Sequence, residues 1–426
     1  MSTKTALKIF DSALKSVLPE NFMKNSCSLN GDIFSINGKE YDLKKYKKLY
    51  IFGSGKASCA MAKEIEKLLK DKIHKGIVIS PYDNNELKKI EVKIGSHPIL
   101  DQKTLDATKA MIEMMHECTE EDLYIYLLSG GSSALLELPI EDVSLEELQD
   151  ATKLMLSNNI KIQYINMVRK HLSSVKGGRL AKKCLAEGVV LVVSDVIDNP
   201  LDAIGSAPLY ADDSTFKDVK DILEEKKLFD KMPLSIQNVI QKGVDKYIED
   251  TPKNIQDRVS HYIVSSNIHA QNSAKYYAEK LGFSVELVKK QMHGEVNQMV
   301  EKMLNISKES KKECIIFGGE CTVDLNGDGK GGRNQHAVIL MLKKLRENNL
   351  NYTFLSASTD GVDGNSDAAG AVIDQKTNFS ELNIKKYIDN FDSYHFFKQI
   401  DSLVMTGPTG TNVIDLAIIL KGDIDG

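Results

Sequence analysis

Apolar runs in this chain repeatedly stop dead at glycine, serine or an acid. Leu49-Tyr50-Ile51-Phe52 runs into Gly53-Ser54-Gly55-Lys56, and Tyr124-Ile125-Tyr126-Leu127-Leu128 runs into Ser129-Gly130-Gly131-Ser132-Ser133. Val189-Val190-Leu191-Val192-Val193 runs into Ser194-Asp195. Continuous, partly β-branched runs of this length are expected of strands buried on both faces, as in parallel α/β sheets. A strand that ends in Gly-Gly-Ser-Ser and turns into a helix presents backbone N–H groups, hydroxyls and a helix dipole at the strand's carboxyl end. That combination cradles an anion. For one stretch alone an ordinary glycine turn is an equal reading; recurrence favours the cradle.

The second half repeats the design. Cys314-Ile315-Ile316-Phe317 leads to Gly318-Gly319-Glu320, and Lys330-Gly331-Gly332-Arg333-Asn334-Gln335 opens a helix through about Leu345. Phe354–Ser358 leads to Thr359-Asp360-Gly361-Val362-Asp363, and Val404 to Thr406-Gly407-Pro408-Thr409-Gly410-Thr411-Asn412. A chain of 426 residues has room for two such domains, at most three. The charged, mostly helical stretch 217–260, broken by Pro233 and Pro252, is where they are expected to change over, giving domains 1–235 and 236–426. Other expected elements are an amphipathic helix over 4–18, a small hairpin around Gly31 and Gly38, and a long helical stretch over about 144–165.

Familiar nucleotide and metal motifs fail on their residues. Gly55-Lys56 is followed by Ala57, with the preceding glycine too close for a P-loop, and Ser58 stands where a dinucleotide fingerprint needs its third glycine. Asp324 to Gly329 resembles the start of an EF-hand, but position nine is Gly332 and position twelve Gln335, so calcium is rejected. No G-x-S-x-G elbow is present at the serine loop.

What remains is a set of candidate ligands. Lys56, beside the glycines, reads as an anion ligand or a surface lysine. Arg169, Lys170 and Lys176, with Asn166, form either a solvated basic helix or an anion site; the Lys176-Gly177-Gly178 ending favours the site. Asp195, at the tip of a central strand, is placed to be a general base or metal ligand, with a helix N-cap as the competing role. Asn267 stands at another strand tip, and Arg333 is a natural clamp for a transferring phosphoryl group. Asp360, Asp363 and Asp367 form a solvated loop or an oxygen-rich magnesium site. His97, before Pro98, reads as a turn residue. Glycine loops, acids and scattered cations are the equipment of phosphoryl transfer.

Net charge of −5 gives no reason to expect nucleic acid or an anionic membrane as partner. Six cysteines without a CxxC pair read as reduced thiols. The N-terminus lacks a signal-type apolar segment and no apolar run approaches ~18 residues, so a cytoplasmic location is expected. Oligomeric state stays open, a homodimer included.

Taken in order, Gly53-Ser-Gly-Lys56, Leu128-Ser-Gly-Gly-Ser-Ser-Ala-Leu135, Val168-Arg-Lys-His-Leu-Ser173, Lys176-Gly-Gly-Arg179 and Ser194-Asp-Val-Ile197 are similar to the motifs of the glycerate 2-kinase family. Gly318-Gly-Glu320, Gly331-Gly-Arg-Asn-Gln335, Asp360-Gly-Val-Asp-Gly364 and Thr406-Gly-Pro-Thr-Gly-Thr-Asn412 continue the resemblance, which runs from about residue 6 to 418. These are the two-domain, MOFRL-type glycerate kinases. The resemblance implies an N-terminal Rossmann-like parallel sheet, a smaller C-terminal α/β domain and a site in the cleft between them. It also implies ATP- and magnesium-dependent phosphorylation of D-glycerate at its 2-hydroxyl. By motif, Lys56 and Arg333 would meet phosphate or substrate, and Asp195 would activate the hydroxyl. Ser129, Gly130, Gly131, Ser132, Ser133, Arg169, Lys170, Lys176, Asn267, Glu320, Asn334 and Asn412 would bind substrate or phosphate, with Asp360 and Asp363 on the metal.

The chain departs from the family pattern at Asp198-Asn199, where Gly-Asp is usual, at Ala207, where glycine is usual, and at His336, where an acid is common. The first of these moves or removes a carboxylate near Asp195 and so puts metal ligation and the choice of short hydroxy acid in question. Two other readings stand beside the kinase. One is an NAD(P)H-dependent hydroxypyruvate reductase, from Gly53-Ser54-Gly55 after a strand. The other is a non-catalytic phosphosugar binder, from the likeness of Ser129–Ser133 to sugar-isomerase serine loops.

Overall fold

The computed structural model describes residues 2–83, 86–255, 257–323, 327–378 and 382–422. Residues 324–326, the start of the loop that resembles an EF-hand, lie outside the described residues. The chain forms two compact units. The first comprises Met23–Val193 and Asn199–Val264; the second comprises Met1–Phe22, Ser194–Asp198 and Ser265–Gly426.

In the first unit, the expected hairpin is a three-stranded antiparallel meander of β1 (Cys27–Asn30), β2 (Ile33–Ile36) and β3 (Lys39–Asp42). The main sheet contains β4 (Leu49–Ser54), β5 (Lys75–Ser80), β6 (Ile90–Ile94), β7 (Leu123–Leu128), β8 (Glu187–Val193) and β9 (Val259–Ser265). Its spatial order is β6-β5-β4-β7-β8-β9. The pairs from β6 through β8 are parallel. Strand β9 runs the same way, because Gly188 N donates to Arg258 O at one end and Ser194 N to Ser265 O at the other. This is the strand order 3-2-1-4-5-6 of a doubly wound dinucleotide-type sheet, whose direction of winding reverses between β4 and β7. Both of those strands are buried along their whole length, which their unbroken apolar runs foretell.

A helical layer of Leu145–Ser157, Ile162–His171, Phe216–Glu225 and Leu234–Val244 packs around the buried Phe216. The single stretch expected over 144–165 is thus two helices. Asn159 takes φ 54° between them, a left-handed step that asparagine tolerates and a helix does not.

The second unit is built on a mixed sheet. Its strands are β10 (Val285–Leu287), β11 (Met292–Glu295), β12 (Cys314–Thr322), β13 (Tyr352–Ser358), β14 (Gly370–Ile373), β15 (Leu403–Val404) and β16 (Asp415–Lys421). The order is β10-β12-β16-β13-β14-β15, with β11 also beside β12. Strands β10 and β11 run parallel to β12, whereas β16 is antiparallel to both β12 and β13. Side chains alternate across it. Phe317 enters a core shared with the helices Val296–Glu309 and Arg333–Glu347, while position 318 faces Asn267 and Gln271 of the helix Asn267–Lys280. Helices therefore cover both faces.

The opening helix, Ser2–Ser16, belongs to this second unit, not to the N-terminal domain that chain order suggests. It packs on Asn267–Lys280, β13 and β16, and Ser273 Oγ donates to its Ser12 carbonyl at 3.0 Å. Residues 236–264 fall in the first unit because β9 completes the parallel sheet. The units therefore divide elsewhere than at residue 235.

These cores can be tested separately. Phe10→Ala removes a buried ring from the opening helix and is expected to cost about 3–5 kcal/mol. Hydrogen exchange should then quicken in β13 and β16 and stay unchanged in β4 and β7; equal loss in both sheets would contradict the partition. His336 is buried, stacks on Phe391 at 4.8 Å, and is pulled by desolvation from 6.5 to about 4, against the pull of Glu295. Between those pH values the unfolded chain binds more protons, so stability falls as pH falls through the window, by about 3 kcal/mol for this group. A His336→Phe variant should show a correspondingly flatter acid limb in denaturant titrations.

Candidate active site

In the first unit, the loops after β4 and β7 meet where the winding reverses, the place where open α/β sheets take ligands. Lys56 N donates to Gly130 O at 2.9 Å, and Ala57 N to Ser129 Oγ at 3.0 Å. Beneath them Ser54 Oγ bonds Tyr126 Oη at 2.6 Å and Ser132 Oγ at 2.5 Å. Ser133 Oγ meets Ser206 Oγ at 2.7 Å. The two glycine loops are thus one hydrogen-bonded body.

Gly131 sits at φ 82°, and a methyl group there would meet His97 Cδ2 at 3.0 Å, His97 Nε2 at 3.2 Å and Lys56 Cγ at 3.2 Å. His97, expected only to make a turn, therefore lines the cradle next to Lys56. Burial, and then the charge of Lys56, hold its imidazole below its ordinary range, which favours the neutral form. Its signal in the sequence was only its place after a strand.

Two expectations for this region are corrected. The helix after the serines is one turn, Ser132–Leu135, so little dipole backs the cradle. Lys170 and Lys176, expected to face phosphate, are each paired with a buried carboxylate. Lys176 is fully buried, pairs with the fully buried Glu137, and donates to Ser133 O at 2.7 Å; burial pulls it down to about 8 against the pull of Glu137. Lys170 pairs with buried Asp212 at 3.1 Å, which also accepts from Thr251 Oγ1 at 2.9 Å. Drawing either cation to a ligand would strand a buried carboxylate, at about 3–5 kcal/mol. Arg169 differs: one nitrogen donates to Ser133 O at 2.8 Å, and the fork has further donors.

In the second unit the site lies at one end of the mixed sheet. Asp415 opens β16 and pairs across the sheet with Gly319 of β12 and Ser358 of β13. Because β16 is antiparallel to both, its first residue lies with their last ones, beside Glu320 and close to Asp360. Arg333, the first residue of its helix, spans this row. Its Nε donates to Asp415 Oδ2 at 2.6 Å, Nη2 to Asp415 Oδ1 at 2.9 Å, and Nη1 meets Glu320 Oε1 at 2.8 Å. Burial opposes the guanidinium charge, but the bonds and charge of Asp415 outweigh it and hold Arg333 above its ordinary range. Burial raises Glu320 above the usual carboxylate range against the pull of Arg333, and the charges of Asp415, Asp195 and Asp360 add to the rise. Asp195 is thus in the same electrostatic neighbourhood.

Five other expected ligands make hydrogen bonds within the protein. Asp363 was expected on a metal; instead it caps the helix of Arg333, accepting from Asn334 N at 3.0 Å and Gln335 N at 2.8 Å. Both its oxygens also accept from the side chains of those residues. A Cβ on Gly332 would lie 2.3 Å from this carboxylate, so glycine there lets the cap approach. Asn334 is buried between Asp363 and Ser356 Oγ, at 2.6 Å from the latter. Asn267 donates to Val413 O and Asp415 O, both at 2.9 Å, and accepts from Gln271. Asn412 is half-buried and accepts from Ile414 N at 3.0 Å. Asp360 accepts from Ser358 Oγ at 2.8 Å and Val362 N at 3.0 Å. Asp415 escaped the sequence reading because it opens its buried run, whereas Asp195 follows the end of one.

Gly131→Ala tests the first loop body. Its left-handed backbone should cost about 1–2 kcal/mol, and the displaced His97 and Lys56 should weaken inorganic phosphate binding by calorimetry. Unchanged affinity in a folded variant would place the anion elsewhere.

Two family descriptions match the chain: one known only as a domain of unknown function, over residues 5–241, and the MOFRL family, over residues 313–415. A glycerate 2-kinase from Pyrococcus horikoshii is 34% identical, with 97% of this chain and 96% of that protein aligned. The D-glycerate 2-kinase of Thermotoga maritima is also 34% identical, over 97% of each. A crystal structure of glycerate kinase from Thermotoga maritima superposes with a TM-score of 0.87 at 33% identity, covering 99% of both chains. Relatives of that identity, aligned through both units, show that this chain belongs to the glycerate 2-kinase family.

Proposed function

We propose that the protein transfers the γ-phosphoryl group of ATP to the 2-hydroxyl of D-glycerate, giving 2-phosphoglycerate and ADP. The observation that carries this reading is the similarity to D-glycerate 2-kinases along essentially the full length of both proteins, which takes in Lys56, Asp195 and Arg333 together. The reductase alternative rests on the doubly wound sheet and Gly53-Ser54-Gly55 alone, and β5 ends in Ser80-Pro81 where a ribose-binding acid would be expected. A cytoplasmic location accords with this reading, and no helix among the described residues is long and apolar enough to cross a membrane.

The roles divide by chemistry. Lys56, with the Ser129–Ser133 loop and Arg169, offers cations and hydroxyl donors to an anionic group. Arg333 stabilises charge on the transferring phosphoryl group, where positioning and neutralisation dominate catalysis. Asp195 accepts the proton of the acceptor hydroxyl. Among the described residues no three His, Cys, Asp or Glu side chains lie closely enough to enclose an ion. That fits magnesium bound chiefly through phosphate oxygens and water, with one or two carboxylates, and Asp360 and Asp195 are hard oxygen donors of that kind. Magnesium, when bound, would neutralise phosphate charge; Asp363, committed to its helix, would not hold it.

Phosphorus NMR of the purified protein with ATP, magnesium and D-glycerate should show a 2-phosphoglycerate signal with matching ADP. A 3-phosphoglycerate signal would overturn the regiochemistry, and intact ATP the acceptor. Lys56→Ala and Arg333→Ala should each lower turnover about 100-fold or more while melting stays cooperative. A fully active Arg333→Ala enzyme would remove that residue from the chemistry.

A further inference from the structure

Arg333 lies between two carboxylates that are not equivalent. Asp415 has a side chain only 2% exposed and takes two parallel bonds, from Nε and Nη2. Glu320 is 41% exposed and meets only Nη1. The place of Asp415 is fixed from three directions: β12 on one side, β13 on the other, and its own carbonyl accepting from buried Asn267. Glu320 follows Gly319 near the end of β12, beyond the pairing with β16, and its backbone pairs on one side with His293 of β11.

A guanidinium is a planar fork, and a bidentate grip on one edge sets the direction of the rest. With the Nε–Nη2 edge held, Nη1 points in one direction, toward Glu320. That carboxylate sits among other acids and partly out of water, where its charge is disfavoured, so it is a weak competitor for an incoming phosphoryl oxygen. Asp415 is not: its removal from Arg333 would leave a buried, unpaired charge.

Resting on the kinase reading above, we propose that Asp415 is a positioning residue. It holds the Nε–Nη2 edge of Arg333 so that Nη1 exchanges Glu320 for an oxygen of the transferring phosphoryl group. Glu320 then serves as the placeholder that occupies Nη1 between turnovers. No bond is made or broken by Asp415; its contribution is a guanidinium that needs no reorientation when phosphate arrives.

The test compares Asp415→Asn, Arg333→Ala and the double variant, each assayed with guanidinium chloride or ammonium chloride at equal ionic strength. Asp415→Asn should lower kcat about 10–100-fold, the scale of a mispositioned group, with both KM values changed less than about threefold. Free guanidinium should restore part of the turnover of Arg333→Ala, ammonium should not, and neither should restore the double variant. Wild-type kcat in folded Asp415→Asn, or equal rescue of the single and double variants, overturns the proposal. If Asp415→Asn does not fold, Arg333→Ala alone decides: rescue by guanidinium over ammonium supports the fork-shaped seat, and equal or absent rescue overturns it. Should the wild-type protein leave glycerate unphosphorylated, the kinase reading fails separately. The seat is then read from melting temperature, which millimolar guanidinium should raise for Arg333→Ala but not for the double variant; no difference between them overturns it.

Discussion

A charge taken out of water must be paired, and that constraint decides which of this protein's many cations and acids can reach a ligand. Lys176 and Glu137 are both fully buried, and Lys170 and Asp212 nearly so. Lys176 lies beside the loop after β7, and the Lys170–Asp212 pair lies beside Gly177. Together they hold the Ser133 carbonyl and the Gly177 region in place, with Gly177 N donating to Ser206 O at 3.1 Å. Breaking such a pair is far costlier than any surface ion pair returns. The buried lysines therefore shape the loop body, and the proposed function gives the ligand to Lys56 and Arg169.

The same logic works with a different outcome in the second unit. There the buried partner is the acid, Asp415, and the cation it holds is 27% exposed. A buried carboxylate gripping one edge of a guanidinium leaves the other side for exchange, which a buried lysine, with its point charge, cannot do. Strand direction makes this possible. An antiparallel β16 brings an N-terminal acid to the edge where β12 and β13 deliver Glu320 and the Thr359-Asp360 loop. In an all-parallel sheet Asp415 would lie at the opposite end.

Much of this was legible in the residues because it is local. Unbroken apolar runs marked β4, β7, β8 and β13. Asp195, Lys56 and Arg333 are candidates by rules that need only a strand and the loop at its end, whereas Glu320 enters through the family resemblance. The features that escaped depend on pairings far apart in sequence. No local pattern says that Lys176 meets Glu137, that Asp363 caps a helix lying well before it in the chain, or that Ser2–Ser16 packs beside β13 and β16. An apolar helical face states that it will be buried, not against what. His97 escaped for a related reason: a lone histidine gains meaning only from neighbours such as Gly131 and Lys56 that the fold supplies.

The departures from the family pattern are also clarified by backbone geometry. Asp198 has φ 62° and Asn199 φ 54°, both left-handed. The usual glycine at the first position is what such a conformation calls for, and Asp and Asn are the side chains that tolerate it best. Ala207, also where glycine is usual, has φ 54° and ψ 57°, so it carries strain that glycine would not. The change at the first position reads as one backbone solution replacing another. At the next position, where the resemblance leads one to expect an acid, Asn199 offers the same hydrogen-bonding shape without the charge. Asp195, Asp360 and Glu320 remain as the acids of the second unit's site. Burial first, and then the charges of Asp415, Asp195 and Asp360, disfavour the charged form of Glu320.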